Sequence, residues 1–255
     1  MNLLITLRSE ILKNKRTASF YLTLIGAAIV PAIFMLNALL DDDGMDGTRK
    51  DPLNNLFKLL SEMNGVAFFP WFIILICTLL PQIEYKNNTW KQVFASPQTK
   101  ANVFIARFLN VHLLILVFFV ATHLFMFIAI VAVNFIDPSF DLFKNALNVS
   151  RVLLNAANAY ILMLAVGAIQ FWMGLRFKNF IAPIGIGLAL WLTGTVIALE
   201  YKSSLANYFP YSFQAFPLSS TLKPLLSQIA WTSLGYAALF LIVGFLDFRT
   251  RAIAK

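Results

Sequence analysis

Charged side chains are scarce in this sequence. Asp, Glu, Lys and Arg make up 13% of the 255 residues while 59% are hydrophobic, whereas a water-soluble domain carries about a quarter charged residues. That shortage excludes a chain folded wholly in water. Cysteine is nearly missing too. The lone Cys77 rules out an internal disulfide, and its apolar neighbours give it a packing role rather than a redox one. Histidine is limited to His112 and His123. Eleven residues apart on a helix, they share a face but stand about 16 Å apart along it, too far for one metal. Each therefore reads as a neutral packing or pore-lining group.

Several motifs are also missing. No G-x-x-x-x-G-K-[ST] phosphate loop occurs, and no glycine is followed by lysine, so the chain does not bind ATP in that way. It has no H-E-x-x-H, no G-x-S-x-G and no pair of carboxylates within an apolar run, which weighs against an intramembrane enzyme. No apolar run carries Lys, Arg, Asp or Glu near its centre, where ion-coupled carriers keep their relays. A non-transporting membrane scaffold stays open.

What is present is a succession of apolar runs at about 19–40, 66–83, 108–136, 153–175, 180–199 and 228–246. Each is long enough to cross the roughly 30 Å hydrocarbon core as an α-helix. They predict an all-α membrane protein with six transmembrane helices, a single transmembrane domain over 1–255 with no room for a soluble domain of about 100 residues or more. The third and fourth runs exceed the bilayer thickness and are expected to tilt or project. The second is expected to begin upstream, near Leu56.

Six crossings put both termini on one side, and the cations say which. Arg8, Lys13, Lys15, Arg16, Lys86, Lys91, Lys100, Arg107, Arg176, Lys178, Arg249, Arg251 and Lys255 fall on that side. Arg49, Lys50, Lys58, Lys144, Arg151, Lys202 and Lys223 fall on the other. The positive-inside rule makes the termini cytoplasmic. The net charge of +8 is then a topology signal and not a nucleic-acid patch. The acidic run Asp41 to Asp46 resembles a calcium loop only superficially. Met45 and Pro52 occupy positions where such a loop needs oxygen ligands, and the run reads as solvated.

Three segments stand out from the spans. Residues 1–18 place Leu4, Leu7 and Ile11 at helical spacing with Arg8, Lys13, Lys15 and Arg16 on other faces. This predicts an amphipathic helix lying in the membrane interface, its cations toward anionic lipid headgroups. A plain basic topology anchor would share this composition. In the loop 84–100, Asn88 or Thr89 can cap a short helix in which Trp90, Val93 and Phe94 share a face and which Ser96-Pro97 ends. An aromatic face ringed by Lys91 and Gln92 on a loop reads as a docking knob, and a Trp resting among headgroups is the alternative. Residues 200–227 concentrate Tyr208, Phe209, Tyr211, Phe213 and Phe216 among prolines. That density predicts short broken helices dipping into the outer leaflet, against the alternative of an aromatic interface belt.

Together these features resemble the permease subunits of type-2 ATP-binding-cassette (ABC) exporters, in particular the bacitracin and lantibiotic self-immunity branch. The likeness rests on the basic interfacial helix, the six spans, Glu84 at the end of the second, and the wording Asn88-Thr89-Trp90-Lys91-Gln92 with Ser96-Pro97. It implies that the loop forms a short cytoplasmic coupling helix inserted into a separate ABC ATPase, with Glu84, Trp90, Lys91, Gln92, Val93 and Phe94 at the contact. Arg176 and Lys178, in the turn 174–179, would make a smaller one, although a plain basic loop fits that turn equally. It further implies ATP and Mg on the partner and no cofactor or metal on this chain. A second permease chain, identical or sister, would complete the path. Tyr208, Phe209, Tyr211, Phe213 and Phe216 would belong to re-entrant helices closing the exit, in a bacterial cytoplasmic (inner) membrane. The function implied is ATP-driven export of an amphiphilic peptide, antibiotic or lipid-like cargo.

Overall fold

A computed structural model describes residues 3–15, 17–40, 50–138, 141–219 and 221–250. Arg16, the acidic run 41–46, Arg251 and Lys255 lie outside the described residues. The described chain is helical and contains no strand. Six helical stretches are long and apolar enough to cross a membrane: Ala18–Leu40, Pro52–Lys86, Lys100–Ile136, Val149–Arg176, Ile181–Glu200 and Lys223–Thr250. In chain order the helices are α1 (Leu3–Asn14), α2 (Ala18–Leu40), α3 (Pro52–Met63), α4 (Phe69–Lys86), α5 (Trp90–Ala95), α6 (Lys100–Ile136), α7 (Val149–Arg176), α8 (Ile181–Thr195) and α9 (Leu226–Thr250).

Local chemistry sets several of these limits. Pro52 opens α3 in the first helical turn, where its missing N–H costs nothing. The Thr99 hydroxyl accepts from Asn102 N at 3.2 Å and starts α6 eight residues before the apolar run does. Asn148 Oδ1 accepts from Arg151 N at 3.0 Å and starts α7. The second span is longer than its apolar run because α3 joins α4 through a π turn at Asn64–Phe68. Leu53, Leu56, Phe57 and Leu60 of α3 are buried while Lys58 and Glu62 face outward. This is the amphipathic entry expected near Leu56, begun four residues earlier.

The bundle is organised around two packed groups. α7 lies against α4 and α9, and α6 carries α1 and α2. In lipid, apolar side chains gain little from leaving the solvent, so close packing of small and aromatic residues holds helices together. Gly174 shows this directly, because a side chain there would run into the Cys77 carbonyl of α4. Phe72 stacks on Phe118 with ring centroids 4.4 Å apart, and Phe69 meets Phe119 edge-on at 4.5 Å. At the other end, Gly194 of α8 lies against the Tyr211 carbonyl with no space for a Cβ.

The first helix turns its polar side inward. The side buried against α6 is made of Thr6, Glu10 and Asn14, four residues apart in turn. Leu4, Ile5, Ile11 and Leu12 are exposed, Leu4 at 69%. This arrangement follows from the surroundings. A helix in the membrane interface gains by turning apolar groups toward lipid, and its polar groups then need partners inside the protein.

Candidate functional site at the Trp90 end of the bundle

The partners of that polar face form the most heavily charged buried site among the described residues. Glu84, at the end of α4, is 3% exposed. Its Oε1 accepts from Lys13 Nζ at 2.7 Å and from Arg107 Nη2 at 2.8 Å, and its Oε2 accepts from the Thr89 hydroxyl. Glu10 Oε1 accepts from Lys13 Nζ at 2.8 Å and lies 3.7 Å from Arg107 Nη2. Two carboxylates thus meet two cations, and the cluster is neutral. Beside it Asn14 Nδ2 donates to Asn110 Oδ1 at 2.7 Å, a second polar tie between α1 and α6. Single buried charges are costly, and opposite charges set against one another, here with both Glu84 oxygens accepting, are how they persist.

The short helix α5 is locked to this cluster. Asn88 reverses the chain with φ 53°, and Thr89 reaches back to Glu84. The Arg107 guanidinium lies over the Trp90 ring, 4.5 Å from its centroid. Such cation–π contacts contribute about 0.5–2 kcal/mol. Trp90 stacks on Phe94 at 5.6 Å and packs on Tyr85 at 5.2 Å, and Phe94 meets Phe248 of α9 at 5.4 Å. Tyr85 in turn donates its hydroxyl to the Leu175 carbonyl of α7 at 2.7 Å.

The apolar face of α5 lies against its own bundle. Trp90, Val93 and Phe94 are half-buried against the bundle's own core. The side of α5 facing away carries Lys91, Gln92 and Ala95, all exposed. An aromatic face next to a core that offers Phe248 and Tyr85 is better satisfied there than in water. Lys13, expected toward lipid headgroups, is instead held by two carboxylates, while Arg8 and Lys15 remain exposed.

Arg176 pairs with Asp247 Oδ1 at 3.2 Å across α7 and α9. Lys178 is exposed in the α7–α8 turn. An open groove of about 970 Å³ runs between these parts, lined by Ser19, Leu79, Gln82, Trp90, Lys91, Lys178 and Phe180 among others. It brings together Trp90, Lys91, Phe94, Arg176 and Lys178, which the sequence had singled out in two separate segments.

The aromatic segment after α8 lies at the opposite end. Two short 3₁₀ turns, Ser204–Tyr208 and Pro210–Ala215, break it. Tyr211, Phe213 and Phe216 are buried, Phe209 is half-buried and Tyr208 is exposed. The Ser212 hydroxyl satisfies the Ala206 carbonyl at 2.6 Å, and Gln170 Nε2 donates to the Tyr211 hydroxyl at 3.0 Å. Burial pushes the Tyr211 phenol above the ordinary tyrosine range. No group of three or more His, Cys, Asp or Glu able to hold a metal ion occurs among the described residues.

A family model described as ABC-2 family transporter protein matches residues 6–194. The chain belongs to that family. It is thus a multi-pass membrane protein and a permease component in the setting of an ABC transporter, a context that includes an ATPase partner. No curated protein matches the sequence. The matched region begins in α1, contains every member of the ion cluster and ends in α8 at Gly194, before the aromatic segment.

Glu10, Arg107, Asn110 and Phe248 were not singled out by the sequence. Arg107 had been counted only as a topology cation. The available signal was Glu84 itself: a carboxylate at the end of an apolar span needs counter-charges, and Arg107, at the start of the next span on the same side, is one cation that could supply one.

Proposed function

We propose that this chain is the membrane-spanning subunit of an ATP-driven exporter, with ATP and Mg held by a separate ATPase and no catalysis or cofactor on this chain. The carrying observation is the linkage of α5 to three other elements through one cluster. A push on α5 is felt by Thr89 and Trp90, and hence by Glu84 on α4, Arg107 on α6 and Glu10 on α1. Lys91 and Gln92, left outward, would meet the ATPase, with Arg176 and Lys178 at the edge of the same groove. Trp90, Val93 and Phe94 act from behind as the anchor that makes α5 move with the spans. The bias of Lys and Arg toward the Trp90 end supports termini on the cytoplasmic side, the membrane being on this reading a bacterial inner membrane.

Two such chains, identical or sister, would enclose a path between them, and motion at α5 would tilt the spans between two states. The 970 Å³ groove, mostly apolar with Lys91 and Lys178 at its margin, suits an amphiphilic peptide, antibiotic or lipid-like cargo, as in the bacitracin and lantibiotic self-immunity branch. The buried Tyr211, Phe213 and Phe216 plug, with Phe209 and Tyr208 at its rim, would close the far exit.

The test is co-purification with a candidate ABC ATPase subunit, followed by ATP turnover. Lys91→Glu with Gln92→Glu should weaken association about tenfold or more while the permease keeps its thermal stability, because one outward contact reverses its charge and its neutral neighbour gains a negative one. Undiminished association and turnover in that variant would remove α5 from the interface.

A further inference from the structure

We infer that the far half of the bundle holds a resident water molecule, bound by Asn64, Thr122 and His123. This inference does not depend on the transport reading. A small, partly enclosed cavity of about 20 Å³ lies where the π turn between α3 and α4 faces α6 and α7, and these three residues line it together with Phe69, Phe118 and Asn155. One water needs at least about 10–15 Å³ of such space, so there is room for one and little more.

The polar atoms around the cavity have the complementarity a water requires. Asn64 Oδ1, Thr122 Oγ1 and His123 Nε2 are all buried without a partner in the protein. Asn64 is 7% exposed and Thr122 1%. His123 Nδ1 lies 2.7 Å from the Phe119 carbonyl. A carbonyl only accepts, so Nδ1 carries the hydrogen, and in the neutral ring Nε2 is left as an acceptor. Asn64 Oδ1 is an acceptor as well, and the Thr122 hydroxyl can donate. A water has two hydrogens for the two acceptors and a lone pair for the hydroxyl.

Thr122 adds an independent sign. Thr23 and Thr78 donate their hydroxyls to the carbonyl one turn back, at 2.8 and 2.9 Å, the usual arrangement for threonine in an apolar helix. Thr122 makes no such bond, which leaves its hydrogen free for the cavity. A cation is a poor occupant, because no Asp or Glu lines the site and a bare charge in that setting lacks compensation. The water ties the π turn, where the second span passes from the amphipathic α3 to the apolar start of α4, to α6. It makes that junction a hydrogen-bonded joint.

Water-edited solid-state NMR on the full chain in liposomes, with 15N-labelled histidine, tests this directly. Only His112 and His123 contribute signals. His123 is identified by what remains in the His112→Gln chain or, if that chain does not fold, by what disappears in His123→Gln. The expected result is a cross-peak between water protons and His123 Nε2. It should weaken about fivefold in Thr122→Val or Asn64→Leu, the change in occupancy that one net hydrogen bond is worth. No cross-peak in the unaltered chain would overturn the inference. So would a cross-peak that both substitutions leave unchanged. A shift of the His123 signal when sodium is exchanged for choline would overturn it in favour of a bound cation.

Discussion

Replacing Arg107 by Met keeps most of the side-chain volume and removes only the guanidinium. Arg107 and Glu84 are 5% and 4% exposed at their side chains and 2.8 Å apart. Loss of the charge-assisted hydrogen bond costs about 1.5–3 kcal/mol, and loss of the Trp90 contact about 0.5–2 kcal/mol. Breaking a buried ion pair from one side generally costs about 3–5 kcal/mol. Lys13 still reaches Glu84 and is itself 37% exposed, so the low end applies, about 3 kcal/mol. For a chain of this size that is a fall in Tm of about 6–12 °C. Glu84→Gln alone should be similarly costly, since it leaves Arg107 buried beside Glu10 only. The double variant Arg107→Met with Glu84→Gln should lose about 2 kcal/mol less than the two singles added together, because neither charge is then stranded. Thermal unfolding of the purified permease, followed by tryptophan fluorescence, gives all three values. Double-variant loss equal to the sum within about 0.5 kcal/mol would refute the claim that these residues form one unit.

Trp90→Ala should lower Tm by several degrees, because the ring fills the space between Arg107, Tyr85 and Phe94 and its removal costs about 3–5 kcal/mol; a Tm unchanged from the parent would return Trp90 to an outward role. Gly194→Ala should destabilise by about 1–3 kcal/mol, since the new Cβ would meet backbone at Tyr211 and Ser212 rather than a flexible side chain, whereas Gly65→Ala, with open space around it, should not. Tyr211 bears on alkaline stability. Its phenol is raised by burial, so the contribution is fully present below the unfolded tyrosine pKa of about 10 and is lost as pH rises beyond it. Unfolding curves of Tyr211→Phe and the parent should differ in slope only above that pH, and parallel curves would exclude the effect.

The helices were legible because twenty-residue apolar runs have few other uses, and their limits moved only where polar or amphipathic turns extended them, as at Pro52 and Lys100. The orientation of faces was less legible. Helical spacing in α1 revealed two faces but not which one meets protein, because amphipathicity gives the same pattern on a water-surrounded helix and on one whose outside is lipid. The same ambiguity affected α5. Trp90, Val93 and Phe94 announce an apolar face, yet nothing within 84–100 records that Phe248, more than 150 residues away, supplies the surface it covers. Partners distant in sequence are invisible to local pattern, and both orientations are set by such partners.

Those orientations bear on how force would pass through the molecule if α5 meets the proposed ATPase. Had Trp90 and Phe94 inserted into another protein, α5 would be joined to its own bundle by little more than its two chain connections, and movement of the ATPase would strain the loop before the spans. With the aromatics turned inward and Thr89 and Arg107 fastening the helix to Glu84, α5 is part of the rigid body. On the proposed reading a contact through Lys91 and Gln92 would then suffice, because the packed aromatics stand behind it. On that reading the ion cluster would have to stay closed while loaded. A neutral set of four charges at the membrane boundary meets that requirement better than a lone pair, since slippage of any one contact leaves each carboxylate near a second cation. On this reasoning Lys13→Met should leave assembly with the ATPase unchanged but lower transport-coupled ATP turnover. Equal loss of both in that variant would mean that Lys13 serves folding and not transmission.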